Sequence, residues 1–244
     1  MSHPAGQRSG RGAFMGSKTT PDALSIQAGT AKLQGLLRLP PDASSLVLFA
    51  HGSGSGRLSP RNTFVAEHLR QAGIATLLFD LLTEQEEEYD AATAELRFDI
   101  PLLTTRLAVA TEWALQQPRL RSLAVGYFGA STGAAAALAA AAEIPAVTAV
   151  VSRGGRPDLA GPALSRVRAA TLLIVGGNDT QVLALNRAAL RQLRCEKELT
   201  VVSGATHLFV EPGTLEQVTT LATAWFSRHA QPRAAPAPAV TGTK

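Results

Sequence analysis

With one cysteine, Cys195, the chain cannot close an intramolecular disulfide, and cysteine-based metal sites, which need two to four ligands close together, are equally out of reach. A reducing, cytoplasmic compartment is the expectation. Aromatics are scarce as well. Two Trp and two Tyr in 244 residues leave little for bases to stack on. The net charge of +4 is scattered, with several cations near the ends at Arg8, Arg11, Lys18, Arg233 and Lys244, so nucleic acid is not the expected partner. Long apolar runs are missing too. The most apolar segment, residues 133–152, is alanine-dominated and broken by Glu143 and Pro145, whereas a spanning helix needs about 20 continuous apolar residues. The first eighteen residues hold nothing like the apolar centre of a secretory leader. No membrane segment is expected.

What is present is 45% hydrophobic side chains against 17% charged ones, enough for one good-sized core over residues 22–229. Residues 1–21, Gly/Ser/Arg-rich, are expected as a disordered arm, and residues 230–244, Pro/Ala-rich, as a disordered tail. Two stretches of period 2, residues 23–29 and 31–39, flank Gly29-Thr30 and predict an antiparallel hairpin. From residue 45 short apolar runs alternate with longer amphipathic segments, the pattern of strands feeding crossover helices. Strands are expected at 45–50, 75–79, 122–128, 147–152, 170–175 and 198–203, making eight with the hairpin. Helices are expected at 60–72, 103–117, 132–143, 182–194 and 214–228, the first with Ser59 as N-cap, Pro60 at its first position and Gly73 as its stop. The fold class is α/β, an eight-stranded, mostly parallel sheet with helices on both faces. The acidic run in 83–99 offers no apolar stripe and predicts a solvated loop with a frayed helical piece; the functional alternative is a mobile flap over a pocket.

Directly after the strand ending at Phe128 comes Gly129-Ala-Ser-Thr-Gly133 and then an alanine-rich helix, the G-x-S-x-G pattern in its strand–turn–helix setting. A sharp turn there strains Ser131, and the glycines remove side chains that would clash with the neighbouring strand and helix. Ser131 is the candidate nucleophile and the Thr132 N–H a candidate oxyanion donor. The bland alternative is a glycine-rich turn with a capping serine. The base must come from five histidines. His3 lies in the arm, His68 inside a predicted helix and His229 at a helix end, leaving His51 and His207. His207 follows the last strand, where a parallel sheet presents catalytic side chains, and is the candidate general base. Asp179, in the turn closing the strand before it, is the candidate orienter of the imidazole; the alternative is a turn former or helix N-cap. Arg153 and Arg156 follow another strand and are candidates to grip a substrate carboxylate, or else structural arginines tied to Asp158 or the acidic segment.

The motifs at 51–57, 129–133, 178–180 and 206–209 resemble those of the α/β-hydrolases, more narrowly the dienelactone hydrolase-related group, over residues 22–229. Dienelactone hydrolase itself uses a cysteine nucleophile, so Ser131 is a departure that bears on the lactone substrate. The resemblance implies a second oxyanion donor at the Ser53 N–H, with His51 bracing that loop. It implies a hydrolase fold, and the short stretch after the strand ending at Ser152 leaves no room for a large cap.

The expected activity is hydrolysis of a small carboxylic ester, lactone or thioester through an acyl-enzyme on Ser131, by a monomer or homodimer, with no metal or organic cofactor called for. Acyl transfer to another acceptor shares the same intermediate, and a non-catalytic binding protein on the same scaffold is the rival from a different class. The loop at residues 52–56 also has the look of a dinucleotide cradle. It lacks the full G-x-G-x-x-G spacing, however, and Asp80 lies further on than the roughly 20 residues expected for a ribose partner.

Overall fold

The computed structural model describes residues 21–230; the expectations for the arm and most of the tail fall outside them. Eight strands form one sheet in the order β1-β2-β4-β3-β5-β6-β7-β8. The hairpin is β1 (Asp22–Ala28) and β2 (Ala31–Arg38). Then follow β3 (Ser45–Ala50), β4 (Ala75–Phe79), β5 (Ala124–Ala130), β6 (Val147–Arg153), β7 (Ala170–Gly176) and β8 (Lys197–Val202). Only the β1–β2 and β2–β4 pairings are antiparallel.

The five central strands β3 to β7 are buried nearly throughout because helices cover both faces, which is why their sequences read as continuous apolar runs rather than alternations. Successive residues still point opposite ways. Leu46 and Leu48 join one core cluster with Leu107 and Leu138; Val47 and Phe49 join the other with Val65 and Phe226. The first cluster lies under α3 (Ile100–Gln116) and α4 (Thr132–Glu143), with Ala189 of α5 (Thr180–Gln192) at its margin; the second lies under α1 (Pro60–Gln71) and α6 (Thr214–His229).

Several boundaries moved for local reasons. Strand β5 begins two residues late, since Leu123 is still in a turn, its N–H bonded to the Leu120 carbonyl. It runs on to Ala130, pairing with Arg153, so the strand delivers the chain directly to Ser131. Helix α3 starts at Ile100 because the Asp99 side chain accepts from the Leu102 N–H at 3.0 Å. Ser59 does stand at the N-cap of α1 with Pro60 in the first turn, but its hydroxyl makes no capping bond. Ala230, assigned to the tail, is buried against the second cluster.

The acidic segment departs most from expectation. It is a helix, α2 (Glu84–Thr93), opened by a full capping box in which Thr83 and Glu86 serve each other's backbone N–H groups. Glu84, Glu86 and Glu87 sit in its first turn, where the helix dipole favours negative charge. Glu86 is tied to Arg106 of α3 at 2.7 Å, and Asp90, 4% exposed, is bound by Arg97 at 2.7 Å. Between β6 and β7 only short 3-10 turns at Pro157–Arg166 occur.

Candidate active site

Ser131 is the single residue between β5 and α4, and its backbone is forced to φ 50° and ψ −123°. A non-glycine residue held there costs on the order of 1–3 kcal/mol. Its surroundings leave no other path. A Cβ on Gly133 would run into the carbonyl oxygens of Ala50 and His51, and one on Gly129 would sit 2.5 Å from the Ala134 Cα. The strain is held by the end of β6 and the turn after it: the Ser131 N–H reaches the Arg153 carbonyl at 3.4 Å, and the Arg156 N–H donates to the Ser131 carbonyl at 3.0 Å. Among the described residues the Ser131 hydroxyl has no hydrogen-bond partner, so the structure does not bond it to His207, whose side-chain partner is Asp179.

His207 and Asp179 are brought together from the loops after β8 and β7, with Nδ1 to Oδ2 at 2.7 Å. Asp179 stands at the N-cap position of α5 yet makes no side-chain cap bond; its carboxylate goes to the imidazole instead. The two loops are stitched together by Asn178, whose N–H donates to the Ala205 carbonyl and whose side-chain amide donates to the Gly204 carbonyl, both at 2.9 Å. Glu211 holds the His207 loop by accepting from the Thr206 N–H and hydroxyl at 3.1 and 2.6 Å. Gly154, at φ 52°, links this half to Ser131: its backbone follows Arg153, and a Cβ on it would lie 3.0 Å from the His207 carbonyl and 3.5 Å from Nδ1. Asn178 falls in the 178–180 motif marked from sequence, whereas Glu211 and Gly154 were not picked out. Glu211 acts across a five-residue turn and Gly154 on a loop distant in sequence, so neither carries a local signature.

The loop after β3 lies against Ser131, since a Cβ on Gly52 would be 2.8 Å from the Ser131 Cβ. The Ser53 and Thr132 hydroxyls are 3.3 Å apart, and neither residue's N–H donates to any group among the described residues. Two adjacent orphan donors are what an oxyanion site requires. His51, 6% exposed, braces this loop: Nε2 accepts from the Leu81 N–H at 2.9 Å and Nδ1 donates to the Gly52 carbonyl at 3.0 Å. Its pKa lies below the ordinary value because burial outweighs the Gly52 hydrogen bond and the charge of Asp80. At the loop's far end Asp80 is spent on Arg57, accepting from both its N–H and its guanidinium, and so is not free for a ribose.

Beside Ser53 and Thr132 lies a small cavity of about 90 Å³, walled by Leu82, Ala91, Leu103 and Arg97. Helix α2 thus forms one wall of the space next to the orphan donors. Of the two candidate arginines, Arg156 is held in a fork by Asp158, at 2.9 and 2.8 Å, and so has no free fork for a carboxylate. Arg153 is different: only 7% exposed, it has no acidic partner among the described residues. Among the described residues there is no helix long and apolar enough to cross a membrane, and no group of three or more His, Cys, Asp or Glu placed to hold a metal ion.

A model of the dienelactone hydrolase family matches residues 35–231. The crystal structure of a dienelactone hydrolase from Anabaena variabilis is 56% identical, with a TM-score of 0.85 over 87% of this chain and 100% of its own. Two Mycobacterium tuberculosis proteins, each bearing the name "Putative phosphoribosyl transferase", are 56% identical over 209 residues, which is 85% of this chain and 46% of theirs. The chain therefore spans about half the length of the curated relatives it matches. Est1E from Butyrivibrio proteoclasticus, 17% identical, shares the fold, with a TM-score of 0.71 over 84% of this chain and 97% of its own.

Proposed function

This chain belongs to the dienelactone hydrolase family, and from that premise we propose that it is a serine hydrolase acting on a small carboxylic ester, lactone or thioester. The observation that carries the reading is the 2.7 Å contact between His207 Nδ1 and Asp179, made in place of a helix cap and joined through Gly154 to a nucleophile elbow. With Nδ1 donating to the carboxylate, Nε2 is left as the base. Ser131 Oγ attacks the carbonyl carbon while its proton passes to His207 Nε2, and the new oxyanion is held by the Ser53 and Thr132 N–H groups. The tetrahedral intermediate collapses, His207 returns the proton to the leaving oxygen or sulfur, and an acyl-Ser131 remains. Water, deprotonated by His207, then releases the acid and restores the hydroxyl. His51 is outside this cycle, its two ring nitrogens being engaged with the backbone.

A Ser–His–Asp constellation is acyl-transfer machinery, so the residues of this chain support hydrolysis rather than the phosphoribosyl transfer in the relatives' name. The test is labelling by a fluorophosphonate probe together with p-nitrophenyl acetate turnover. Wild type is expected to take one probe at Ser131, and Ser131→Ala to lose labelling and lower kcat by about 10⁴- to 10⁶-fold with its circular dichroism unchanged. Turnover retained in that variant would overturn the assignment. Competing alcohols or thiols in the assay separate water from another acyl acceptor.

A further inference from the structure

Arg153 is the last residue of β6, on the face of the sheet covered by α1 and α6, two and four residues beyond Val151 and Ala149 of the second core cluster. Its carbonyl receives the Ser131 N–H, so the side chain starts one strand away from the nucleophile. Arg153 as a residue is only 7% exposed, and its Nε is sealed off with no acceptor among the described residues. Its guanidinium carbon lies 5.9 Å from the centre of the Phe209 ring, a cation–π contact. Taking a charge out of water costs more than a cation–π contact returns, so the ring does not offset the burial.

Arg61, in the first turn of α1, repeats the pattern. Its Nε is buried without an acceptor, and it takes part in no ion pair among the described residues. Burial first and the nearby positive charge of Arg61 second push the Arg153 guanidinium down to about 10. Two guanidiniums that repel each other, neither with a carboxylate partner among the described residues, are costly to fold and would gain from a shared anion. Arg61 also lines an open groove of roughly 580 Å³ that runs along Ser53, Gly54 and Ser59, and so connects with the orphan-donor loop.

We propose that Arg153 and Arg61 together form an anion subsite beside Ser131, fitted to a doubly charged oxyanion such as the phosphate monoester end of a substrate. A dianion neutralises both cations, where a carboxylate neutralises one, and planar guanidinium forks match its oxygens. The inference deepens the hydrolase reading by naming the charged part of the substrate. It stands apart from that reading in the binding experiment below, which needs no turnover.

The test starts with thermal unfolding of the whole protein titrated with inorganic phosphate, with acetate at equal ionic strength beside it. A saturable rise in Tm with phosphate and none with acetate is expected. Arg153→Met should raise Tm in the absence of phosphate, because it removes an unpaired buried charge, and should abolish the phosphate-induced rise; a purely structural arginine would lower Tm instead. Arg61→Gln, at a more exposed site, should weaken phosphate binding at least 10-fold. In turnover, the ratio of kcat/KM for an ester carrying a phosphate monoester to that for its neutral analogue should fall at least 100-fold in Arg153→Met. No phosphate-induced rise in wild type, an equal rise with acetate, or a rise surviving both substitutions would overturn the subsite. A chain that binds phosphate but turns over neither ester would overturn the hydrolase reading and leave the subsite standing.

Discussion

His51 and Ser131 lie against the same loop, yet their environments set them opposite tasks. Ser131 keeps an unpartnered hydroxyl on a strained backbone, whereas His51 is fixed as a neutral ring between the Leu81 N–H and the Gly52 carbonyl. The His51 pKa is depressed in the folded state, chiefly by burial, so the folded protein favours the neutral ring while the unfolded chain protonates near its ordinary 6.5. The stabilisation is therefore complete above about pH 6.5 and is lost as pH falls through the folded value. His51→Leu removes that dependence and orphans the Leu81 N–H, at a cost of about 1–3 kcal/mol at neutral pH. Urea unfolding from pH 7.5 to 5 is expected to show wild type losing stability faster than the variant. Parallel slopes would place the titration elsewhere. Sequence could mark Ser131, Asp179 and His207 because each is a chemistry-bearing residue type in a turn next to a strand end. It could not mark Glu211 or Arg61, whose roles arise from contacts to residues with no recognisable spacing.

Strands and most helices were legible because burial writes itself into the order of apolar residues. Strands β3, β4 and β7 fall within one residue of expectation, and β6 runs one residue past it. Helix α2 was not legible by that signal, since Asp90 is its one buried residue and polar contacts rather than apolar ones seat it. Its cue was the Thr83-x-x-Glu86 capping box, a pattern of four residues easily lost within an acidic run. What holds it follows from charge: Arg97 donates from its N–H and Nε to the Asp90 carboxylate at 2.9 and 2.7 Å, and Arg106 ties Glu86 to α3. Arg97→Ala removes the guanidinium and leaves the buried Asp90 carboxylate with backbone N–H donors but no counter-charge, a change costing up to about 3–5 kcal/mol where the structure cannot relax. Helix α2 can relax, because few apolar contacts bind it, so the loss should appear as local opening. Hydrogen exchange is expected to speed up over residues 84–93 while β3 and β5 keep their protection. The same variant, with one wall of the 90 Å³ cavity loosened, should hydrolyse longer acyl esters better relative to acetate. Exchange accelerated equally across the sheet would mean that α2 is part of the global folding unit.

At the scale of the molecule, the hydrolase unit can be bounded by its core rather than by the ends of the chain. Both core clusters close within residues 26–230, and the family match ends at residue 231. The curated relatives are about twice as long, so the matched part has to be able to stand as a unit within a larger chain. The second cluster depends heavily on the end of α6: Phe226 is fully buried, Trp225 donates to the Ala170 carbonyl at 3.1 Å, and Ala230 is 1% exposed. A chain cut to residues 21–230 is therefore expected to unfold in a single transition, with a midpoint close to that of the intact chain and kcat/KM within about threefold. Ending it at Ala224 instead deletes two large core aromatics, each worth about 3–5 kcal/mol, which exceeds what a domain with about 5–15 kcal/mol in total can lose. That shorter chain should fail to fold, although all of Ser131, Asp179 and His207 remain in it. Were it to retain hydrolysis, the α1 and α6 layer would be dispensable, and the two-faced burial of β3 to β7 would not be what holds the catalytic loops in register.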